Sequence, residues 1–495
     1  MDTLAFEHHL TSPQGHRHRP DDAVTVTSSG GACGDEITLS LRVDGDRIGD
    51  AGFTAAGCGA AIAAGSAAVT LARGAQVLDA ARIGTREIQA ELGGLSPGKL
   101  HAAELASDAL ARTLGTAVRE RAALEAPAAG RILVAMSGGV DSAVAAHLVA
   151  LDGDAVAVTL ELWADAENDA ERSCCSASAV AQARSLAHSM GMAHFTIDLR
   201  DEFRAGVVEP FIAGYGAGET PNPCVGCNGH VRLDAMLELA DRLGADKLAT
   251  GHYARIAEPD HEHGALLRVA ADAAKDQTYM LAALSPASLA RMTFPLGELE
   301  KPEVRRIAAR AGLPVASKAD SQDLCFLAGT TRARFLARHG ALGDRPGTIV
   351  DSAGTVVGHH LGQHRFTVGQ RRGIGISRGE PLYVLAKNAE QERVTVGPRA
   401  ALGTSRIAVR GARLHRRGSR VNQVKLRYRS RPVRATLAGE PDAGRHRTLS
   451  IDLGDTVDGA APGQLACLMD GDLVVGWGTI ARSEPRAAAD ARFAV

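Results

Sequence analysis

Aromatic residues make up only 3% of this chain, 2 Trp, 5 Tyr and 10 Phe in 495 residues. Its cores must therefore be built from Ala, Val, Leu and Ile, and the 55 Gly imply many close backbone approaches. An excess of one charge is also missing. The 55 basic and 57 acidic residues leave a net charge of −2, so the overall charge selects no nucleic-acid partner. No stretch reads as a membrane span: the longest uncharged run, residues 51–72, is mostly Ala and Gly, which gain little from lipid. The amino-terminal MDTLAFEHHL carries two acids and two His where a signal peptide needs an apolar core. These absences predict a cytoplasmic protein with no membrane association, whose 8 Cys act as thiols, metal ligands or catalytic groups rather than disulfides.

What is present is globular: 45% hydrophobic and 23% charged residues exclude disorder. The length suggests about three domains. Residues 36–43 alternate like a strand, 47–55 read as a returning strand, and from His101 to Leu124 apolar positions recur at helical spacing. These describe a small α+β module over 1–125, closed by the Pro-containing AALEAPAAG at 122–130. From Arg131 the order strand, glycine turn, helix, strand repeats, which predicts an α/β doubly wound parallel sheet over 130–335. Beyond about Gly340 short strand-like pieces predict a small β-rich domain over 336–398 and a β-barrel over 399–495. Residues 401–440 hold eleven Lys/Arg against Glu440 alone, so this region can bind a polyanion although the whole chain is neutral.

The strongest motif is Ser137-Gly138-Gly139-Val140-Asp141-Ser142, set between a buried strand and a helix. Its glycines let backbone N–H groups close on an anion, the helix N-terminus adds its dipole, and two hydroxyls add donors, so it reads as a phosphate cradle. It lacks the Lys of a Walker loop, which disfavours γ-phosphate transfer.

With these residues the chain resembles the PP-loop ATP pyrophosphatases. More narrowly, MSGGVDSAVAAHL (136–148), CCSASAVAQARSLA (174–187), TPNPCVGCNGHVRLD (220–234), ATGHYAR (249–255), KDQTYML (275–281), SKADSQDLCFL (317–327) and VGQRRGIGI (368–376) look, in this order, like the tRNA 2-thiouridylase family MnmA. The resemblance implies that ATP and Mg2+ adenylate the C2 oxygen of a tRNA wobble uridine, which a sulfur nucleophile then replaces. Cys325 matches the persulfide carrier, and Cys227 matches the Cys that attacks it, with a Cys227–Cys325 disulfide as the implied product. Ala135, Met136, Ser137, Gly138, Gly139, Val140, Asp141 and Ser142 would bind ATP, with Leu160 and Gly251 near its base and ribose. Asn222, Pro223 and Cys224 would meet the target base. His252, Lys275, Asp276, Gln277, Arg427, Tyr428 and Gln464 would meet tRNA. The implied partners are tRNA and a sulfur donor, either a cysteine desulfurase or a sulfur-relay protein.

Cys224 and Cys227 form a C-x-x-C that equally fits zinc, an Fe–S cluster or a redox pair. With Cys325 they are three candidate ligands of a [4Fe-4S] cluster, which could carry the sulfur in place of a persulfide. Cys174 and Cys175 match a family pair without an evident chemical role. A PP-loop amidating ligase would share the loop, but nothing resembles a glutaminase nucleophile.

Residues 1–125 resemble the IscU/NifU Fe–S scaffolds through HHLTSPQGHR (8–17), ACGDEITLSLRVDGDRI (32–48), FTAAGCGAAIAAGSAAVT (53–70) and LSPGKLHAAELASDAL (95–110). The resemblance places Cys33, Asp35, Cys58 and His101 at the metal positions, but Ala102 stands where the family has a third Cys. The set still suits one Zn2+ or an Fe–S site, a degenerate docking module being the other reading, and with one thiolate missing isolated residues 1–125 are expected to bind zinc and fail to assemble [2Fe-2S]. The other reading is an Fe–S carrier whose C-terminal part binds RNA, against which the intact SGGVDS stands.

Overall fold

The computed structural model describes residues 3–30, 34–121, 129–165, 176–260, 264–320, 324–376 and 379–482, so Cys33, Cys174 and Cys175 lie outside the described residues. The chain divides into two compact units. One comprises 1–201, 234–253 and 291–329, the other 202–233, 254–290 and 330–495.

The first unit begins with α1 (Thr3–Thr11), β1 (Val24–Gly30), β2 (Asp35–Asp44), β3 (Arg47–Ala56), α2 (Gly59–Ala72), α3 (Val77–Ala80), α4 (Thr85–Glu91) and α5 (Leu100–Glu120). The strands form an antiparallel meander in which Leu39 pairs with Val26 on one side and Phe53 on the other. Alternation puts Ile37, Leu39 and Leu41 on its buried face. The uncharged run at 51–72 is thus the end of β3 and the Ala-rich, buried α2. Small side chains let α2 lie close to the sheet: a Cβ on Gly65 would come within 2.4 Å of the Phe53 ring. Among the described residues no helix is long and apolar enough to cross a membrane.

There follow β4 (Ile132–Ala135), α6 (Val140–Asp152), β5 (Ala155–Glu161), α7 (Ala177–Ser189), β6 (Ala193–Asp198) and β7 (Lys247–Thr250). These strands and Met292–Thr293 make a five-stranded, wholly parallel sheet in the order 292–293, β7, β4, β5, β6. The chain runs outward from β4 to β6 and then returns to add β7 on the other side of β4. The switch point therefore lies at the carboxyl end of β4, where open α/β sheets bind their ligands.

The amino-terminal module packs on the far edge of this sheet. The Ala81 carbonyl accepts the His194 N–H of edge strand β6 at 2.9 Å, and α5 lies so close that a Cβ on Gly115 would be 2.1 Å from the Thr196 carbonyl oxygen. Asp108 on α5 accepts from Ser28 Oγ (2.8 Å), Arg112 Nε (2.6 Å) and Arg184 Nη1 (2.6 Å), and Arg112 also pairs with Glu161 at the end of β5. Burial pushes the Asp108 carboxyl up, but the Arg184 and Arg112 guanidiniums outweigh it and hold it below the usual carboxylate range.

The second unit contains helical segments over 202–233, a four-stranded sheet, and a barrel. The sheet, from strands Gly347–Val350, Val356–His360, Tyr383–Asn388 and Arg393–Gly397, encloses Ile349, Val384, Val394 and Val396. In the barrel Gly403–Leu414, Gly444–Asp458, Val433–Leu437, Gln423–Lys425, Leu465–Asp470 and Leu473–Ile480 pair in turn, and the last returns to the first. Its core is aliphatic, with Val409, Ile451, Leu468 and Val475 fully enclosed.

Replacing Gly115 tests the packing of α5 on the sheet. Gly115→Val should lower the thermal midpoint of the whole chain, with a loss of about 1–3 kcal/mol, the usual cost of overpacking. A stability equal to wild type would mean that α5 does not touch β6.

Candidate functional site

Between β4 and α6 the loop 137–142 turns sharply because Gly138 adopts φ +67°, and a Cβ there would sit 2.7 Å from the Ala179 carbonyl oxygen. Ser142 Oγ accepts the Ser137 N–H (3.1 Å) and donates to the Gly139 carbonyl (3.1 Å), closing the turn from inside. Gly251, just past β7, meets the same turn: its Cβ would be 2.7 Å from Asp141 C and Ser142 N. Ala135, Met136, the loop and Gly251 are thus brought together at the switch point, and Leu160 lies near the carboxyl end of the adjoining β5.

Cations arrive here from far along the chain. Lys301, at the start of the helix Lys301–Arg310, bonds both Asp141 oxygens (2.7 and 2.8 Å) and also Asp320 (2.8 Å). Tyr253 OH donates to Asp141 Oδ1 at 2.9 Å. Lys318 Nζ donates to the Gly138 carbonyl (2.9 Å) and to Gln182 Oε1 (2.7 Å). Sequence reasoning missed both lysines as site residues, because they stand 160 and 180 positions from their loop partners. Lys318 does lie inside the quoted 317–327 motif, and that was the available signal. Cys325 opens a single helical turn, Cys325–Leu327, in the same unit and is half-buried. His252 bonds Thr250 Oγ1 through Nδ1 at 2.8 Å.

In the second unit Asn222 caps the turn Pro223–Gly226 by accepting the Cys224 N–H at 3.1 Å. Cys224 is half-buried and Cys227 buried. Asp276, expected to meet tRNA, is buried instead: it bonds Thr278 Oγ1 (2.9 Å) and pairs with Lys425 Nζ (3.0 Å), while its neighbours Lys275 and Gln277 are partly exposed. Tyr279 OH donates to the Leu465 carbonyl (2.8 Å) and Gln464 Nε2 to the Thr220 carbonyl (2.5 Å), tying this segment and the 220–224 segment to the barrel. Arg427 donates to the Gly459 carbonyl, and Tyr428 is half-buried beside the Arg429 guanidinium. Burial pushes the Cys467 thiol up to about 12, so it is a packed core group and no nucleophile.

The charge of the basic stretch is smaller than eleven to one. Arg406, Arg410, Arg417, Arg420 and Lys425 pair with Asp452, Glu219, Asp442, Asp470 and Asp276, all from outside 401–440. Arg413, Arg429, Arg431 and Arg434 have no carboxylate partner among the described residues. Counting charge within a window overstated it, because the neutralising acids belong to other segments.

In the amino-terminal module Asp35, Cys58 and His101 come together as the resemblance implied. Cys58 Sγ and His101 Nε2 each lie 3.1 Å from Asp35 Oδ2, and the three ligand atoms are all within 4.8 Å of one another. Burial raises the Asp35 carboxyl, but bonds from the Cys58 N–H, the Cys58 thiol and His101 outweigh it and lower it overall. Gly57 stands at φ +133° with its Cβ position 2.0 Å from Asp35 Oδ1, so only Gly fits beside the carboxylate. One thiol, one carboxylate and one imidazole suit three positions of tetrahedral Zn2+. Ala102 is wholly enclosed in the core.

Family models match in chain order: a NifU-like N terminal domain over residues 6–122, a tRNA methyl transferase HUP domain over 130–329, a tRNA methyl transferase PRC-barrel domain over 333–398 and an aminomethyltransferase beta-barrel domain over 411–480. A bifunctional protein NifU/MnmA from Rubrobacter xylanophilus is 44% identical over 96% of this chain and 98% of its own length. A tRNA-specific 2-thiouridylase MnmA from Xanthobacter autotrophicus is 42% identical over 72% of this chain and 94% of its own, and one from Geobacter metallireducens 41% over 71% and 96%.

Two outcomes follow. Lys425→Met should strand the buried Asp276 and cost about 3–5 kcal/mol in urea unfolding, whereas adding Asp276→Leu should recover much of that loss. An undiminished stability in the single variant would remove the pair as an anchor. Cys58→Ser should weaken Zn2+ binding by the full chain by roughly tenfold or more, read by competition with a chromogenic chelator, since serine is a poor ligand for zinc. Unchanged affinity would place the metal elsewhere.

Proposed function

The chain belongs to the NifU/MnmA family, and on that premise we propose that it thiolates the wobble uridine of tRNA at C2 in two steps. The observation that carries the reading is the SGGVDS loop at the switch point of the parallel sheet, with Gly251 packed against it and no Walker Lys. That arrangement suits gripping the pyrophosphate of ATP while the α-phosphate is attacked.

First the C2 oxygen of uridine attacks the α-phosphorus of ATP, forming the O-adenylate and releasing pyrophosphate. Asp141, oriented by Lys301 and Tyr253, is the residue that would hold Mg2+ against the phosphates. Then the terminal sulfur of a persulfide on Cys325 attacks C2, and AMP departs with the former C2 oxygen. The Cys227 thiolate attacks the inner sulfur, the S–S bond to the transferred sulfur breaks, and a Cys227–Cys325 disulfide remains. A two-electron reductant must then open the disulfide before a persulfide donor reloads Cys325.

Asn222, Pro223 and Cys224 receive the target base. His252, Lys275, Gln277, Arg427, Tyr428 and Gln464 meet the tRNA backbone, with the unpaired Arg429, Arg431 and Arg434 as further phosphate contacts. Asp276, paired with Lys425, belongs to the same tRNA-facing segment. The domains are 1–125, 130–335, 336–398 and 399–495. Asp35, Cys58 and His101, with Cys33, hold one Zn2+, and the module receives a sulfur-donating partner in the cytoplasm.

Cys325→Ser separates the steps. Incubated with Mg2+, ATP, unmodified tRNA and the donor, this variant should still release pyrophosphate while 2-thiouridine falls to background. Thiolation at the wild-type rate would exclude Cys325 from the chemistry.

A further inference from the structure

The phosphate loop contains no cation of its own, and the two lysines that reach it are not equivalent. Lys301 is enclosed and saturated: its ammonium is shared between the carboxylates of Asp141 and Asp320. Lys318 is exposed, and both acceptors on its ammonium are neutral, the Gly138 carbonyl at 2.9 Å and the Gln182 amide oxygen at 2.7 Å. Among the described residues no carboxylate neutralises it. A positive charge is therefore fixed directly on the SGGVDS turn.

The lysine is held at both ends. Arg305 Nη1 donates to the carbonyls of Ala316 (2.9 Å) and of Lys318 itself (3.2 Å), while Arg305 Nη2 pairs with Asp320 at 2.9 Å. The backbone of Lys318 is braced by one guanidinium and its tip by the loop, so little side-chain freedom remains to be lost when an anion arrives. An ammonium is a compact point charge well suited to phosphate oxygens.

From this geometry we infer that Lys318 is a catalytic residue: it contacts the β- and γ-phosphates of ATP and stabilises the charge that develops on departing pyrophosphate. It supplies from 180 residues downstream what a Walker loop carries within itself. Lys301 is by contrast a positioning residue for Asp141. The inference rests on the adenylation reading above.

The test is equilibrium binding of Mg-ATP and of AMP to the full-length wild type, Lys318→Met and Lys318→Arg. Lys318→Met should weaken Mg-ATP by about tenfold or more, the factor expected for one charge-assisted contact. AMP, which lacks the β- and γ-phosphates, should bind all three alike, and Lys318→Arg should stay within a few-fold of wild type for ATP. Unchanged Mg-ATP affinity in Lys318→Met would overturn the assignment. So would an equal loss for AMP, or a Lys318→Arg chain as weak as Lys318→Met, because each would mark a structural role. A wild type that binds no Mg-ATP would instead overturn the adenylation reading beneath it.

Discussion

How closely backbone can approach backbone at the carboxyl end of β4 is the constraint on which the nucleotide end of the molecule depends. Gly138 must pass the Ala179 carbonyl and Gly251 must pass Asp141, and at both places a single Cβ would intrude to 2.7 Å. Because those atoms are excluded, the loop can close on itself through Ser142 Oγ, which accepts the Ser137 N–H and donates to the Gly139 carbonyl. The cations then come from distant segments, Lys301 to orient Asp141 and Lys318 to sit on the Gly138 carbonyl. The loop carries no lysine of its own, and the cations beside it come from these two distant segments.

The same use of small residues binds the amino-terminal module to the sheet. Gly115 brings α5 against β6, and the Asp108, Arg112, Arg184 and Glu161 network lies across the junction. His101 stands in the first turn of α5 and Arg112 three turns later, about 16 Å along the axis at 1.5 Å per residue. One rigid helix thus runs from the Asp35, Cys58 and His101 cluster to the end of β5, and the module is a packed part of the first unit.

Much of this was legible in the sequence, and the remainder failed for two reasons. Local patterns survived: the SGGVDS turn sits between a buried strand and a helix, the strands at 36–43 and 47–55 appear as β2 and β3, and the helical spacing from His101 becomes α5. Asp35, Cys58 and His101 also converge. Pairings between distant segments were not legible. The buried pair of Asp276 and Lys425 joins residues 149 apart, and, in all, five basic residues of 401–440 proved to be neutralised by acids elsewhere. Residues 59–72 showed no helical period, since Ala and Gly carry no periodic contrast by which a buried helix can be told from a loop.

The central claim is that sulfur enters only after ATP has activated the C2 oxygen. Its most direct measurement is the stoichiometry of products when the purified full chain turns over unmodified tRNA with Mg-ATP and a sulfur donor, AMP and 2-thiouridine being quantified in the same samples. The account predicts one AMP for each 2-thiouridine, and neither product when ATP is replaced by an analogue that cannot be cleaved between its α- and β-phosphates. Formation of 2-thiouridine with that analogue, or without matching AMP, would contradict it.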